Sequence, residues 1–286
     1  MDDTLIILNP AAKGDKAARF LEKIKRVTGG TPIRLTERIG DAEVIARDAV
    51  KSGTRTVVAA GGDGTINGVV NGIGESGVRL GILPLGTMNV LAAELGLPHR
   101  DLGACWKIIQ TEKTRRMDLC KMNDRYFIQL AGVGLDAQVV RETDLSFRKH
   151  FGPLSYVVTA VQVAGRTPPK LNVSAPDGKT RIGSFVLVGN GRFYGGPFRV
   201  FRDAQTDDGL LDVLIFRDLG YTDIARYVAA MAFGGIEKIS GVEYFQTPSL
   251  RVYGDEAIPV ELDGEVDFNI PADFSIAPNP MIVCIP

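Results

Sequence analysis

The chain has 286 residues, of which 45% are hydrophobic and 23% charged, an ordinary globular composition that allows one large or two medium domains. Its 33 basic and 34 acidic side chains leave a formal net charge of −1, so bulk electrostatics argue against a nucleic-acid partner.

The first apolar run, TLIILNP (4–10), predicts a buried strand ending in an Asn-Pro turn. KAARFLEKIKRV (16–27) predicts a helix with Ala17, Phe20, Leu21 and Ile24 on one stripe. DAEVIARDAVKSG (41–53) predicts a second helix, with Asp41 as N-cap and Gly53 just past its end. Strands follow at TRTVVAA (54–60) and VRLGILPLG (78–86), and helices at TMNVLAAELGL (87–97) and DLGACWKIIQ (101–110). This alternation predicts a parallel α/β layer through about residue 115. The character then changes. LNVSAPDGKTRIGSFVLVGN (171–190) is a hairpin signal around Pro-Asp-Gly. DVLIF (212–216), SLRVYG (249–254) and PVELDGE (259–265) continue a mainly antiparallel region, with helices near 152–165 and 221–233. MIVCIP (281–286) is strand-like, and either region could receive it.

Other classes lose ground on residue counts. Cys105, Cys120 and Cys284 are odd in number and scattered, which disfavours a disulfide framework or zinc site and suits a reducing compartment. His99 and His150 are too few for a convincing Ser-His or His-metal site. MDDTLIILNP is acidic with a very short apolar run, unlike a signal peptide, and no segment approaches 18 continuous apolar residues. The expectation is a soluble protein, peripheral to a membrane at most.

Chemistry concentrates in loops. VVAAGGDGTINGVVNGI (57–73) places Gly61 to Thr65 between a strand and a helix, where glycine N–H groups and a helix N-terminus receive phosphate. A carboxylate beside phosphates, here Asp63, calls for a cation or a hydroxyl; the plainer reading is a tight glycine turn. GIGESG (72–77) matches G-x-G-x-x-G but follows a helix and precedes a strand, the reverse of a dinucleotide fingerprint. NPAAKG (9–14) and PLGTMN (84–89) end two more strands of the same layer. Three such loops at one sheet edge favour a nucleotide site.

In order along the chain, NPAAKG, GGDGTINGVVNGI, ILPLGTMNVLA, GVGLDAQVV, DDGLLDV and ELDGE resemble the diacylglycerol kinase catalytic-domain superfamily, which includes bacterial soluble lipid kinases and, more distantly, sphingosine and ceramide kinases. The resemblance implies a parallel α/β nucleotide-binding domain over 1–118 and a β-rich domain over 119–286, with the active site in the cleft between them. It implies transfer of the γ-phosphoryl group of ATP to a lipid hydroxyl, with Mg²⁺. Asn9, Thr36, Gly61, Gly62, Asp63, Gly64, Thr65, Asn67, Gly86, Thr87 and Asn89 would serve the nucleotide. Asp263 and Glu265 of LDGE are the alternatives for the base that accepts the hydroxyl proton, and Asp118 matches an aspartate that pairs with the first of them. AQTDDGLLDV resembles a loop that holds a structural Mg²⁺ through the Asp208 side chain and the carbonyls of Gln205 and Leu210. Two departures stand out: Val90 follows Asn89 where many bacterial members have aspartate, and Lys13 stands where a serine is common.

The expected partner is a membrane lipid, met from the cytoplasm by transient contact with the inner membrane surface; a homodimer stays open. SFRKHFG (146–152) and GGPFRVFRD (195–203) interleave Phe with basic residues and could make that contact. The alternatives are a small-molecule kinase of the NAD kinase type and a catalytically silent regulator of the same fold.

Overall fold

The computed structural model describes residues 3–10, 17–99, 101–135, 137, 168–194 and 198–286. The helix expected near 152–165, the SFRKHFG segment and Lys13 lie outside the described residues. The chain divides into two compact units, Met1–Leu119 with Arg125–Ile128 and Ala277–Pro286, and Cys120–Asp124 with Gln129–Ile276.

In the first unit, β1 (Thr4–Leu8), β2 (Ile33–Leu35), β3 (Thr56–Gly61) and β4 (Arg79–Pro84) pair in parallel, in the order β2-β1-β3-β4. Helices α1 (Ala17–Thr28), α2 (Asp41–Lys51) and α3 (Asp63–Ile73) connect them, and α4 (Val90–Glu94), α5 (Leu102–Gln110) and β5 (Thr114–Met117) follow. The final strand, Met281–Cys284, enters this sheet between β4, to which it is parallel, and β5, to which it is antiparallel. β3 is buried along its whole length, as its unbroken apolar run requires of a strand covered on both faces.

Two local expectations are corrected. The N-cap of α2 is Gly40, left-handed at φ 91°, and not Asp41. The Asp41 carboxylate turns back instead to accept the N–H groups of Glu37 at 2.8 Å and Arg38 at 3.0 Å, which lowers its pKa. The helix expected over 87–97 shrinks to five residues because Asn89 is left-handed at φ 51° and Gly96 at φ 68°. Gly53 ends α2 as expected, at φ 81° with its N–H on the Val50 carbonyl. The small residues of α3 have a packing role. A Cβ on Gly72 would lie 2.4 Å from the Glu43 carbonyl oxygen, so α2 crosses α3 with backbones nearly touching.

β6 (Cys120–Met122) opens the second unit; β7 (Arg125–Phe127) returns to the first. Then come β8 (Leu130–Gly134), β9 (Leu171–Ser174), β10 (Thr180–Gly183), β11 (Phe185–Gly189), the short pair β12 (Phe193–Tyr194) and β13 (Phe198–Arg199), and β14 (Leu211–Phe216). Helix α6 (Tyr221–Phe233), β15 (Val242–Thr247), β16 (Ser249–Tyr253), β17 (Pro259–Leu262), β18 (Glu265–Asn269) and β19 (Ala272–Ile276) complete it. One antiparallel sheet runs β15-β14-β11-β8-β17-β18, and a second contains β10-β9-β16-β19-β6. The predicted hairpin forms between β9 and β10, with Gly178 N–H closing the turn on the Ala175 carbonyl. α6 covers the first of these sheets through Ile224 and Tyr227. There Phe216 stacks on Phe185 at 4.6 Å and meets Tyr227 edge-on at 4.8 Å.

Candidate active site

In the first unit the strand order reverses between β1 and β3, the place where open α/β sheets bind ligands beyond their carboxyl ends. Asn9 and Gly61 stand at that point. Asn9 donates its backbone N–H to the Ala60 carbonyl at 3.0 Å and its side-chain amide to Thr65 Oγ1 at 3.3 Å. Thr36, buried at the end of β2, donates its N–H to the Leu8 carbonyl.

The GGDGT and PLGTMN loops are built as one piece. A Cβ on Gly86 would stand 2.6 Å from the Gly62 Cα and 2.8 Å from Asn89 Oδ1; only glycine permits this approach. Asn89 closes a ring on Gly86, accepting its N–H at 2.9 Å and donating to its carbonyl at 2.8 Å. Asp63 then crosses from the first loop to the second, its carboxylate accepting the N–H of Asn89 at 2.9 Å and of Val90 at 2.7 Å. Burial raises the Asp63 pKa, while these N–H groups, and more weakly the His99 imidazole, pull it down. Gly62 offers no side chain to cap α3, and the Asp63 carboxylate stands in the first turn of the helix.

Gly64 and Thr87 are exposed on this edge, Gly62 and Gly86 half-buried, and Gly61 and Thr65 buried. Asn67 is buried one turn further along α3 and accepts a hydrogen bond from Asn71, which exchanges two more with the backbone of Tyr126 in β7. Asp118 is half-buried just after β5. The Gly62–Gly86 contact and the bridging by Asp63 are invisible in sequence; the glycines at both loop tips were the available sign.

In the second unit LDGE is a two-residue hairpin turn, with Leu262 opposite Glu265 and both central residues left-handed, Asp263 at φ 48° and Gly264 at φ 96°. Asp263 Oδ1 accepts the N–H groups of Gln129 at 2.9 Å and Leu130 at 3.1 Å, and the Asp263 N–H donates to the Leu130 carbonyl at 2.9 Å. The Gly264 N–H donates to Glu261, a buried residue of ELDGE to which the sequence assigned no role. Glu265 is exposed at the start of β18. The two carboxylates that sequence left as alternatives therefore differ: one is tied into the sheet, the other faces solvent.

The loop before β14 turns at Gly209, φ 74°, with Asp208 Oδ1 accepting the Leu210 N–H at 3.0 Å. Gln205 is exposed, and Asp208 and Leu210 are half-buried. Among the described residues no three His, Cys, Asp or Glu side chains converge as a metal-binding group. A loop that supplies one carboxylate and two carbonyls has a different composition from such a cluster. Its neighbour Asp212 is 0% exposed; Oδ1 takes the Tyr244 hydroxyl and, at 3.2 Å, the Gln246 amide, while Oδ2 has no hydrogen-bond partner. Burial, then the charges of Asp208 and Asp203, push its pKa to about 6, against the pull of Tyr244 and Gln246. An orphaned buried carboxylate oxygen beside this loop suits a cation. Of the GGPFRVFRD segment, Phe201 is core while Arg199 and Arg202 are exposed; 195–197 lie outside the described residues. Among the described residues no helix is long and apolar enough to cross a membrane.

Residues 3–122 match the diacylglycerol kinase catalytic domain, and 130–285 the YegS C-terminal NAD kinase beta sandwich-like domain. A protein of Chromohalobacter salexigens named "Probable lipid kinase YegS-like" is 32% identical over 99% of this chain and 92% of its own. The diacylglycerol kinase of Staphylococcus carnosus is 30% identical over 94% of this chain and 90% of its own. Two Bacillus anthracis crystal structures share the fold: one at TM-score 0.85 and 24% identity, covering 100% of this chain and 95% of that one, and one of a diacylglycerol kinase at 0.76 and 21%, covering 100% and 97%. The chain belongs to the diacylglycerol kinase catalytic-domain family.

Proposed function

We propose that the protein transfers the γ-phosphoryl group of ATP to the hydroxyl of a diacylglycerol-like lipid, which it meets by peripheral contact with a membrane. The observation that carries this reading is the close contact of Gly62 with Gly86, which brings the GGDGT and PLGTMN loops together beside the start of α3. Asn9, Thr36, Gly61, Gly62, Gly64, Thr65, Asn67, Gly86, Thr87 and Asn89 serve the nucleotide, and Asp63 holds their two loops together. Mg²⁺ bound with the nucleotide supplies neutralisation of phosphate oxygens.

The acceptor oxygen attacks the γ-phosphorus, the bond to the ADP oxygen breaks, and the hydroxyl proton passes to a carboxylate. Glu265 is the better base, because Asp263 Oδ1 already accepts two backbone N–H groups. Asp118 assists from its place after β5. The carbonyls of Gln205 and Leu210 with the Asp208 carboxylate would hold a second, structural Mg²⁺.

The test incubates the protein with labelled ATP, Mg²⁺, a panel of lipid hydroxyls and NAD, with products identified by mass spectrometry. A phosphorylated lipid is expected. Phosphorylated NAD in its place, or no product from any acceptor, overturns the reading. Glu265→Gln should lower kcat by roughly 10²–10⁴ with the melting temperature unchanged. Asp263→Asn should cost about 1–3 kcal/mol of stability. A Glu265→Gln enzyme with full activity would remove Glu265 as the base.

A further inference from the structure

The buried carboxylate of Asp212 has a geometry that its protein partners do not explain. Gln246 stands directly opposite it in the β14–β15 register, and Tyr244 lies two residues away on the same face. Both donate to the same oxygen, Oδ1, and so fix the plane of the carboxylate. Oδ2 stays fully buried with no donor. A buried carboxylate oxygen with no donor is costly unless a cation compensates it.

We propose that Asp212 Oδ2 is a ligand of a divalent cation held in the 205–212 turn, and that Tyr244 and Gln246 are the positioning residues that aim it. Hard cations take six or more oxygens, and a second carboxylate tightens a site otherwise made from one carboxylate and carbonyls. Oδ1 is occupied by hydrogen bonds, so the contact is monodentate. The proposal rests on the loop being a cation site, as the functional reading above has it, and not on the reaction itself.

The experiment is a Mn²⁺ titration of the whole protein, followed by the paramagnetic resonance of the free ion, with no nucleotide present, so that a metal carried by ATP cannot contribute. The wild type should take up one Mn²⁺. Tyr244→Phe should weaken binding roughly 10- to 100-fold, as losses of outer partners do, and Asp212→Asn by more. Asp273→Asn, at an exposed ion pair with Arg251 in β16, should bind as the wild type does. Melting curves give an independent readout. Without metal, Asp212→Asn should melt at or above the wild type, since it removes a buried charge; with Mn²⁺ the order should reverse. Wild-type Mn²⁺ affinity in a folded Asp212→Asn, or no Mn²⁺ uptake by the wild type, overturns the proposal. Turnover is measured separately: normal Mn²⁺ uptake without lipid phosphorylation would sink only the functional reading, and phosphorylation without uptake only this one.

Discussion

Asp63→Asn separates two roles for the aspartate of GGDGT, organising a metal-bound nucleotide or clamping two loops. The wild-type carboxylate accepts two backbone N–H groups, from Asn89 and Val90. Hydrogen bonds to a charged group contribute about 1.5–3 kcal/mol each. Asparagine keeps one acceptor oxygen, and its amide nitrogen then faces one of the two N–H groups, donor against donor. Part of the loss is offset because burial already disfavours the ionised carboxyl. The expected cost is therefore about 2–4 kcal/mol, nearer the lower end. The assay is urea unfolding with neither nucleotide nor metal, followed by the fluorescence of Trp106, the one tryptophan of the chain and a core residue of the first unit. A ligand-only role predicts no loss in that buffer. If Asp63→Asn unfolds at the wild-type urea midpoint with the same slope, the clamp is refuted.

Three further outcomes follow from other parts of the molecule. Gly86→Ala forces a Cβ to within 2.6 Å of the Gly62 backbone and should cost about 1–3 kcal/mol, with ATP affinity by calorimetry falling about tenfold. Phe216→Ala removes a fully buried ring stacked on Phe185 and should destabilise the second unit by about 3–5 kcal/mol in denaturant unfolding. Asp177 titrates at about 2, below its ordinary 3.8, chiefly through its hydrogen bond to Arg181. Because the folded pKa is the lower one, the pair stabilises fully above the unfolded value and fades as pH falls from about 4 to about 2. NMR titration should show Asp177 moving back up toward 3.8 in Arg181→Ala.

The parallel layer of the first unit was readable because buried strands and amphipathic helices alternate with distinct periods, and β3 carries its burial as an unbroken apolar run. What failed was decided by one backbone angle at a time. Nothing in TMNVLAAELGL announces that Asn89 is left-handed, yet that angle shortens the helix to Val90–Glu94 and lets its N-terminal N–H groups reach Asp63. Asp41 has the composition of an N-cap, but Gly40 at φ 91° takes the position. In the site, motif residues gave positions without roles. Asp263 and Glu265 look interchangeable as letters. The type I′ turn separates them, since the left-handed Asp263 folds its side chain back on β8 while Glu265 begins the next strand. Glu261 and Asp212 fall inside ELDGE and DDGLLDV but were given no role, because a buried acid inside a strand differs from an exposed one only through partners supplied by strand register.

Asp63 and Asp263 show one device used twice. Each is flanked by glycine, Asp63 at the start of α3 and Asp263 in a hairpin turn, and each accepts two consecutive backbone N–H groups from a segment distant in sequence, Asn89 and Val90 in one unit, Gln129 and Leu130 in the other. Consecutive N–H groups converge on a single carboxylate only where the chain bends, so each aspartate fixes a bend as well as a distance. Neutral replacements at both positions should therefore lower stability and activity together. Glu265, exposed on its strand, should lose activity alone. A kinetic survey without a stability measurement would rank all three alike; the stability measurement separates an acid needed for turnover alone from acids that also hold the loops.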